Sequence, residues 1–242
     1  MDKNKRPYTT LFLIQSLDGK ITTGDNDNMD TDDFHRIKGI KEGISRYYEL
    51  EKSLDRVYLN SGRVFEKVGF NDKTWDKDHH DGPSFVVVDS QPHLTLKGYA
   101  YLAGRCETFF LITNNKNHPA FSLIDKHSNI VPLLYEGEID IVDTFGKLRQ
   151  KYGVERMTIQ TGGTLNALFL RSGLIDKISL VVAPCLVGGK DTQSLIGGES
   201  LHDKQDLTKI KALKLIKSET WENSYLHLKY EVLNETVIEN KI

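Results

Sequence analysis

Two adjacent glycines, Gly162 and Gly163, separate a short apolar run from an amphipathic segment. The run covers residues 157–160, and Leu165 and Phe169 recur after the glycines at helical spacing. A strand, a glycine turn and a helix in this order bring backbone N–H groups close to a ligand, because glycine has no Cβ and the first helical turn has unpaired donors. The positive end of the helix dipole suits a phosphate or pyrophosphate. The pattern therefore predicts a nucleotide-cofactor site.

Three other polar turns follow apolar runs and could contribute to the same crevice. They occupy residues 16–20, 60–63 and 89–90. Ligands of open α/β sheets bind beyond the carboxyl ends of the strands, so we expect these turns to converge there with residues 161–166. Arg63 in the second turn could bind a phosphate in a bidentate manner, although a solvated surface arginine is the commoner role.

Strands and helices alternate along most of the chain. Such alternation predicts a mostly parallel sheet, and the last two strands alternate in polarity as an antiparallel hairpin does. No linker or repeat divides the 242 residues, so the sequence predicts a single α/β domain over residues 1–242. Strands are predicted at residues 8–15, 56–60, 84–89, 108–113, 130–135, 157–160, 177–183, 213–217 and 225–232, and helices at 34–48 and 140–151 and in shorter segments ending near 68 and 173.

The composition argues against several classes of protein. The net charge of −2 disfavours a nucleic-acid-binding surface, because phosphate contacts need concentrated lysine and arginine. The N-terminus has no apolar signal-peptide core, and no apolar stretch is long enough to span a bilayer. We therefore expect neither a nucleic-acid nor a membrane partner.

The two cysteines, Cys106 and Cys185, have no metal-ligand spacing and are too few for a disulfide framework. Reduced thiols in a cytoplasmic protein are the simplest interpretation. The acidic and histidine cluster at residues 78–81 lies in a hydrophilic stretch without an obvious further ligand, and we interpret it as a solvated loop. No metal site is predicted.

The motifs, taken in order, resemble those of the riboflavin-biosynthesis reductases, the reductase domain of the bifunctional deaminase–reductase proteins. The resemblance runs from about residue 8 to residue 232 and implies a dihydrofolate-reductase-like α/β fold. That fold has a mostly parallel central sheet with helices on both faces and a C-terminal antiparallel hairpin. The matching motifs occupy residues 16–21, 54–64, 85–90, 160–166, 173–177 and 181–189.

The resemblance implies an NADPH-dependent reductase, usually a homodimer, that acts on a small pyrimidine carrying a ribosylamino phosphate. By this likeness Gly62 and Arg63 approach the cofactor from one side. For the 2′-phosphate of NADPH, Arg63 and Lys116 are the candidate cations. The residues implied to hold the pyrophosphate on the other side are Gly162, Gly163, Thr164, Leu165 and Asn166.

The same resemblance implies that Asp18 and Lys20 lie beside the nicotinamide and the substrate. Both are candidates to supply a proton as hydride reaches C1′ of an imine, and Lys20 could instead orient a substrate oxygen. Ser16 and Thr161 are the candidate substrate-binding residues. Thr161 stands where the family usually has a glutamate, and a hydroxyl cannot replace a carboxylate.

Three functions follow as alternatives. The first is reduction of a pyrimidine like 5-amino-6-(5-phosphoribosylamino)uracil to its ribitylamino form. The second is an oxidoreductase of the same fold acting on another acceptor, such as a pterin, a carbonyl or an imine, and the third is a non-catalytic nucleotide-binding protein. If the pyrophosphate lies at the glycines, Gly163→Val should weaken NADPH binding by about tenfold or more while leaving the fold largely intact.

Overall fold

A computed structural model describes residues 5–76 and 82–239 of the chain. Within these residues nine strands and five α-helices form two compact units, one made of Tyr8–Leu54 with the described part of Gly162–Ile242, the other mainly of Asp55–Thr161. The strands are β1 (Tyr8–Ser16), β2 (Val57–Ser61), β3 (Ser84–Val88), β4 (Phe109–Thr113), β5 (Ile130–Leu134), β6 (Arg156–Ile159), β7 (Lys177–Ala183), β8 (Ala212–Thr220) and β9 (Leu226–Leu233). The helices are α1 (Ser45–Glu51), α2 (Gly62–Lys67), α3 (Leu96–Arg105), α4 (Ile141–Gln150) and α5 (Gly163–Arg171).

None of the helices in the described ranges combines the length and apolar character that a membrane crossing requires. The histidine-containing cluster at residues 78–81 lies outside the described residues. The single domain over residues 1–242 stays a prediction.

The first unit contains four strands in the order β1-β7-β9-β8. Strands β1 and β7 are parallel, in register from Thr10 opposite Lys177 to Ser16 opposite Ala183. Strand β9 runs antiparallel to both β7 and β8, which makes the C-terminal pair a hairpin. The end of β1 and the end of β7 therefore lie side by side at one edge of this unit.

Aromatic side chains fill the core of the first unit. Phe12 of β1 stacks on Tyr47 of α1 with ring centroids 4.8 Å apart. Phe34, Ile44 and Tyr225 are fully buried beside them. This cluster holds the segment between β1 and α1 against the sheet and so fixes the turn that follows β1.

The second unit contains five parallel strands in the order β5-β4-β3-β2-β6. All five residues of β4 are buried, as expected for a parallel strand with both faces covered. In the main core of the second unit, Tyr99 and Leu102 of α3 pack with Phe65 of α2 and Phe109 of β4. The parallel arrangement places the carboxyl ends of β2, β3 and β4 at one edge.

The predicted fold class is confirmed, with a mostly parallel α/β arrangement that ends in an antiparallel hairpin. The predicted helix over residues 34–48 is wrong. That stretch forms a 3-10 turn at Thr31–Arg36, and only Ser45–Glu51 is α-helical. Ile37 is extended, with φ −107° and ψ 117°, which ends the first turn. The apolar residues of this stretch are buried from separate turns. Their burial explains the periodic spacing in the sequence without one continuous helix.

Helix α3 was absent from the sequence predictions. Thr95 caps its N-terminus, since the Thr95 hydroxyl accepts the Gly98 N–H at 3.2 Å. Tyr99 and Leu102 face the core at zero exposure. The threonine cap before an amphipathic segment is the signal that could have identified this helix.

A buried histidine in the first unit makes its stability depend on pH. His227 Nε2 lies 2.8 Å from Ser179 Oγ, and burial lowers the His227 pKa below its ordinary value. The unfolded chain takes up a proton near the unperturbed value, about pH 6.5, while the folded protein resists it until lower pH. The free energy of unfolding should therefore fall between about pH 7.5 and 5.5. Denaturant titrations at both pH values check this, and His227→Gln should reduce the difference; an unchanged difference contradicts it.

Candidate active site

The turn after β1 is closed by the Ser16 side chain. Its hydroxyl donates to Asp18 Oδ1 at 2.5 Å and accepts the Lys20 backbone N–H at 2.9 Å. The Gly19 N–H donates to the Ser16 carbonyl at 3.0 Å. Because Ser16 is fully buried and its hydroxyl both donates and accepts within the turn, it fixes Asp18 and Lys20 at the end of the strand.

The Asp18 carboxylate accepts two backbone N–H groups from the segment after β7. Val187 N lies 3.0 Å from Oδ1, and Gly188 N lies 2.6 Å from Oδ2. Hydrogen bonds from Ser16, first, and then from Val187 lower the pKa of Asp18 to about 2. Asp18 is therefore ionised at neutral pH, where it can accept a proton but has none to donate.

The Lys20 ammonium group is directed toward oxygens of the same segment. Nζ donates to the Gly189 carbonyl at 2.8 Å and to the Thr192 carbonyl at 2.9 Å. The Ser194 hydroxyl is 3.5 Å away. An ammonium group has three donors, so this arrangement uses Lys20 as an anchor for the chain that it contacts.

Residues 187–197, called here the bridging loop, are also bound to the turn through the backbone. The Ile21 N–H donates to the Gln193 carbonyl at 3.0 Å, and the Leu195 N–H donates to the Gly19 carbonyl at 3.0 Å. The turn after β1 and the bridging loop therefore form one hydrogen-bonded layer.

The bridging loop also contacts the start of α5. The Gly197 N–H donates to the Gly163 carbonyl at 2.9 Å, and the buried Asn166 side chain donates to the Leu195 carbonyl at 2.9 Å. A Cβ on Gly163 would overlap the Ser194 carbonyl oxygen, so the close approach of two backbones requires glycine. This corrects the expectation for Gly163→Val, because a branched side chain would displace the bridging loop and would not leave the local fold intact.

The first turn of α5 remains suited to an anion. Gly162 occupies the N-cap in an extended conformation, and no side chain caps the helix there. The first N–H groups of any α-helix lack an intrahelical acceptor, and Thr164 in this turn is exposed. Leu165 is half-buried. The five predicted pyrophosphate residues, 162–166, are thus gathered in one helical turn, and phosphate binding by them stays a prediction.

The second unit holds the other predicted site residues. Gly62 is buried at the start of α2, whereas Arg63 is exposed. Thr161 is 2% exposed, so its side chain is largely enclosed by protein. Lys116 forms an exposed ion pair with Glu136 at 3.0 Å. The prediction that Gly62 and Arg63 approach the same cofactor as α5 stays untested.

A buried carboxylate lies directly against Gly62, where a Cβ would overlap Asp89. Tyr99 donates its hydroxyl to Asp89 Oδ2 at 2.5 Å, and His118 Nε2 lies 3.4 Å from the same oxygen. His93 Nδ1 lies 2.7 Å from Asp89 Oδ1. Burial alone would raise the pKa of Asp89, but the hydrogen bonds from its three partners outweigh burial and hold the pKa below its ordinary value.

Sequence reasoning missed two parts of this arrangement. The sequence indicated a glycine-rich loop over residues 188–198, with turns at its two glycine pairs, but not the hydrogen bonds that this loop makes to the turn after β1 and to the start of α5. The hydrogen-bond partners of Asp89 were also missed. The sequence carried only a weak signal for this group, which is an aspartate directly after an apolar strand. In the described ranges, no group of three or more His, Cys, Asp or Glu side chains is placed to hold a metal ion.

Comparisons with known proteins agree on one family. The family model described as the RibD C-terminal domain matches residues 7–226. The 2,5-diamino-6-ribosylamino-4(3H)-pyrimidinone 5′-phosphate reductase of Methanothermobacter thermautotrophicus is 26% identical over 206 residues, which cover 85% of this chain and 90% of that protein.

Two solved structures have a similar fold. RibD of Acinetobacter baumannii (form 1) has a TM-score of 0.63 at 16% identity, covering 94% of this chain and 58% of that one. This chain therefore spans little more than half the length of that protein. The riboflavin biosynthesis reductase Rib7 of Saccharomyces cerevisiae has a TM-score of 0.58 at 12% identity, covering 94% of this chain and 90% of that one.

Proposed function

The chain belongs to the RibD C-terminal domain family, and from this premise we propose that it is an NADPH-dependent pyrimidine reductase. The cofactor would supply the hydride that, together with a proton, reduces C1′ of a ribosylamino 5′-phosphate side chain to the ribitylamino form. The observation that carries the proposal is the match over 90% of the length of the Methanothermobacter reductase. The name of that relative gives the first candidate substrate, which is 2,5-diamino-6-ribosylamino-4(3H)-pyrimidinone 5′-phosphate. The second is the corresponding 5-aminouracil, which has oxygen in place of the 2-amino group.

The cofactor assignment is supported by the start of α5. NADPH would supply the hydride, and the protein would hold its pyrophosphate through Gly162, Gly163, Thr164, Leu165 and Asn166. The residues fit this group because the helix has nine residues, a glycine N-cap and no capping side chain. Anchoring of the same turn by the bridging loop would limit its motion, which favours a fixed orientation of the nicotinamide.

Asp18 and Lys20 would serve this reaction in different ways. Asp18 is an anion at neutral pH, so we propose that it positions the bridging loop and contributes a fixed negative charge. Lys20 is the candidate proton donor, although it would have to release one of its carbonyl acceptors to reach a substrate atom. Ser16 would act indirectly through the turn that it closes, and Thr161 would contact the substrate only after local opening.

Spectrophotometric assays of NADPH oxidation test the proposal. The acceptors are the ribosylaminopyrimidinone phosphate, its uracil counterpart and dihydrofolate, each offered with NADPH and with NADH. We expect turnover of one of the two ribosylamino compounds. Turnover of dihydrofolate alone would instead support another acceptor for this fold, and tight NADPH binding without turnover would support a nucleotide-binding role.

We also propose that the protein is a cytoplasmic homodimer. Strand β8 is an edge strand whose Leu213, Leu215 and Ile216 are 44%, 52% and 49% exposed, and a second copy could cover them. The free thiols of Cys106 and Cys185 are compatible with a reducing compartment. The molar mass in solution, measured by light scattering, distinguishes a dimer from a monomer.

A further inference from the structure

Lys20 and Ser194 face each other across a short antiparallel bridge between the turn after β1 and the bridging loop. The backbone hydrogen bonds that close the bridge on either side, both 3.0 Å long, run from Leu195 N–H to the Gly19 carbonyl and from Ile21 N–H to the Gln193 carbonyl. Bonds in these positions make Lys20 and Ser194 a non-hydrogen-bonded pair, the kind in which opposing side chains lie closest and share a face. The backbone therefore fixes the Ser194 hydroxyl beside the Lys20 side chain.

The three oxygens nearest the Lys20 ammonium group differ in what they can do. Nζ lies 2.8 Å from the Gly189 carbonyl, 2.9 Å from the Thr192 carbonyl and 3.5 Å from Ser194 Oγ. The two carbonyls only accept, whereas a hydroxyl accepts one proton and has another to give. A lysine that donated directly to a substrate would lose a carbonyl contact, but a lysine that donates to Ser194 keeps both.

The Ser194 hydroxyl also lies on the side of the bridging loop that serves the predicted cofactor site. Its side chain is half-buried, and among the described residues its hydroxyl has Lys20 as a donor while its own proton has no acceptor. The Ser194 carbonyl oxygen lies against Gly163, at the start of α5. Ser194 therefore stands between the Lys20 ammonium group and the helix start proposed to hold the pyrophosphate.

We propose that Ser194 gives the proton in the reduction and that Lys20 restores it. The proposal rests on the reductase function. Reduction of the imine adds hydride to C1′ and moves the electron pair of the C1′–N double bond to nitrogen, which takes the Ser194 proton.

The proton balance of this relay closes within the first unit and solvent. Ser194 Oγ takes a proton from Lys20 Nζ in the same step, so no free alkoxide forms. The neutral Lys20 amine keeps two N–H groups for the Gly189 and Thr192 carbonyls, and it regains its third proton from water. In this role Ser194 is a catalytic residue, and Lys20 acts on the substrate through it.

A matched pair of substitutions at Ser194 tests the hydroxyl itself. Threonine and valine have nearly the same shape, but valine has a methyl group where threonine has the hydroxyl. We expect Ser194→Val to lower kcat by about tenfold to a hundredfold with KM changed by less than about threefold, and Ser194→Thr to keep most of the activity. Fluorescence titration with NADPH and the melting temperature should give similar values for the two variants. Ser200→Ala, at an exposed serine just beyond the bridging loop, is the control and should behave like the wild type.

Combination with Lys20→Met tests whether the two residues form one relay. Adding Ser194→Val to Lys20→Met should cost less than about threefold, because members of a relay act as a unit. A hydroxyl that only bound the substrate would cost the same factor in both backgrounds. In the wild type, kcat/KM should fall at high pH as the Lys20 ammonium group deprotonates, and Ser194→Val should lack this limb of the profile.

Three results would overturn the relay. They are wild-type kcat in Ser194→Val, an equal loss in Ser194→Val and Ser194→Thr, and an undiminished loss when Ser194→Val is added to Lys20→Met. The assays use the acceptor that the wild type reduces. Rejection of the ribosylamino compounds, which would overturn the proposed function, is therefore seen in the wild-type protein, whereas failure of the relay is seen only in the variants.

Discussion

Gly163→Ala should weaken NADPH binding by about ten- to a hundredfold. The new Cβ would overlap the Ser194 carbonyl oxygen, which is backbone and cannot rotate away. The bridging loop must then shift and lose the Gly197–Gly163 hydrogen bond, and the helix start that would bind the pyrophosphate shifts with it. Loss of one charge-assisted hydrogen bond, about 1.5–3 kcal/mol, corresponds to this change in Kd. Fluorescence titration with NADPH measures it.

Gly162→Ala is the matched control for that substitution. Its Cβ would meet only the end of the Gln193 side chain, at 3.3 Å, and that side chain can move. We expect Gly162→Ala to melt near the wild-type temperature, whereas overpacking at Gly163 should lower the stability by about 1–3 kcal/mol. Equal affinities and equal melting temperatures for the two variants would show that the bridging loop does not restrict the start of α5.

Lys20→Met should lower kcat/KM by about a hundredfold or more. Methionine keeps the unbranched stem but removes every donor to the Gly189 and Thr192 carbonyls, so the bridging loop loses two of its side-chain hydrogen bonds. If Lys20 also gives the proton to the substrate, the chemical step loses its acid. Steady-state assays with the accepted pyrimidine measure the change.

The pH profile of Lys20→Met separates the two roles. Loss of an anchor alone lowers kcat/KM by a similar factor at every pH, whereas loss of a proton donor also removes one limb of the profile. Lys190→Met is the control, because Lys190 is an exposed lysine of the same loop. Wild-type kinetics in Lys20→Met would exclude both roles, and a loss of similar size in Lys190→Met would point to a general effect of loop charge.

The local parts of the site could be predicted from the sequence. Gly162 and Gly163 stand between an apolar run and an amphipathic one, and β6 and α5 form on either side of them. The buried strands could also be predicted from the sequence. Continuous runs rich in β-branched residues, such as β3 and β7, are typical of strands that are covered on both faces. These features depend on neighbours in the chain, and neighbouring residues are what a single sequence displays.

The contacts that give those residues their roles are long-range. Asp18 meets Val187 and Gly188 across about 170 positions, and only the parallel pairing of β1 with β7 brings them together. Neither the low pKa of Asp18 nor the anchoring by Lys20 could be predicted before that pairing was known. The helix predicted over residues 34–48 was wrong for a different reason. Separate turns can bury the same apolar residues whose spacing suggested one helix.

The central claim is transfer of hydride from NADPH to C1′ of the pyrimidine's sugar side chain. Its most direct test uses NADPH that carries deuterium at both hydrogen positions of nicotinamide C4, with the ribosylaminopyrimidinone phosphate as acceptor and mass spectrometry and NMR of the product. We predict a ribitylamino product that carries one deuterium at C1′. A product without deuterium, or oxidation of the cofactor with no change in the pyrimidine, would contradict the account.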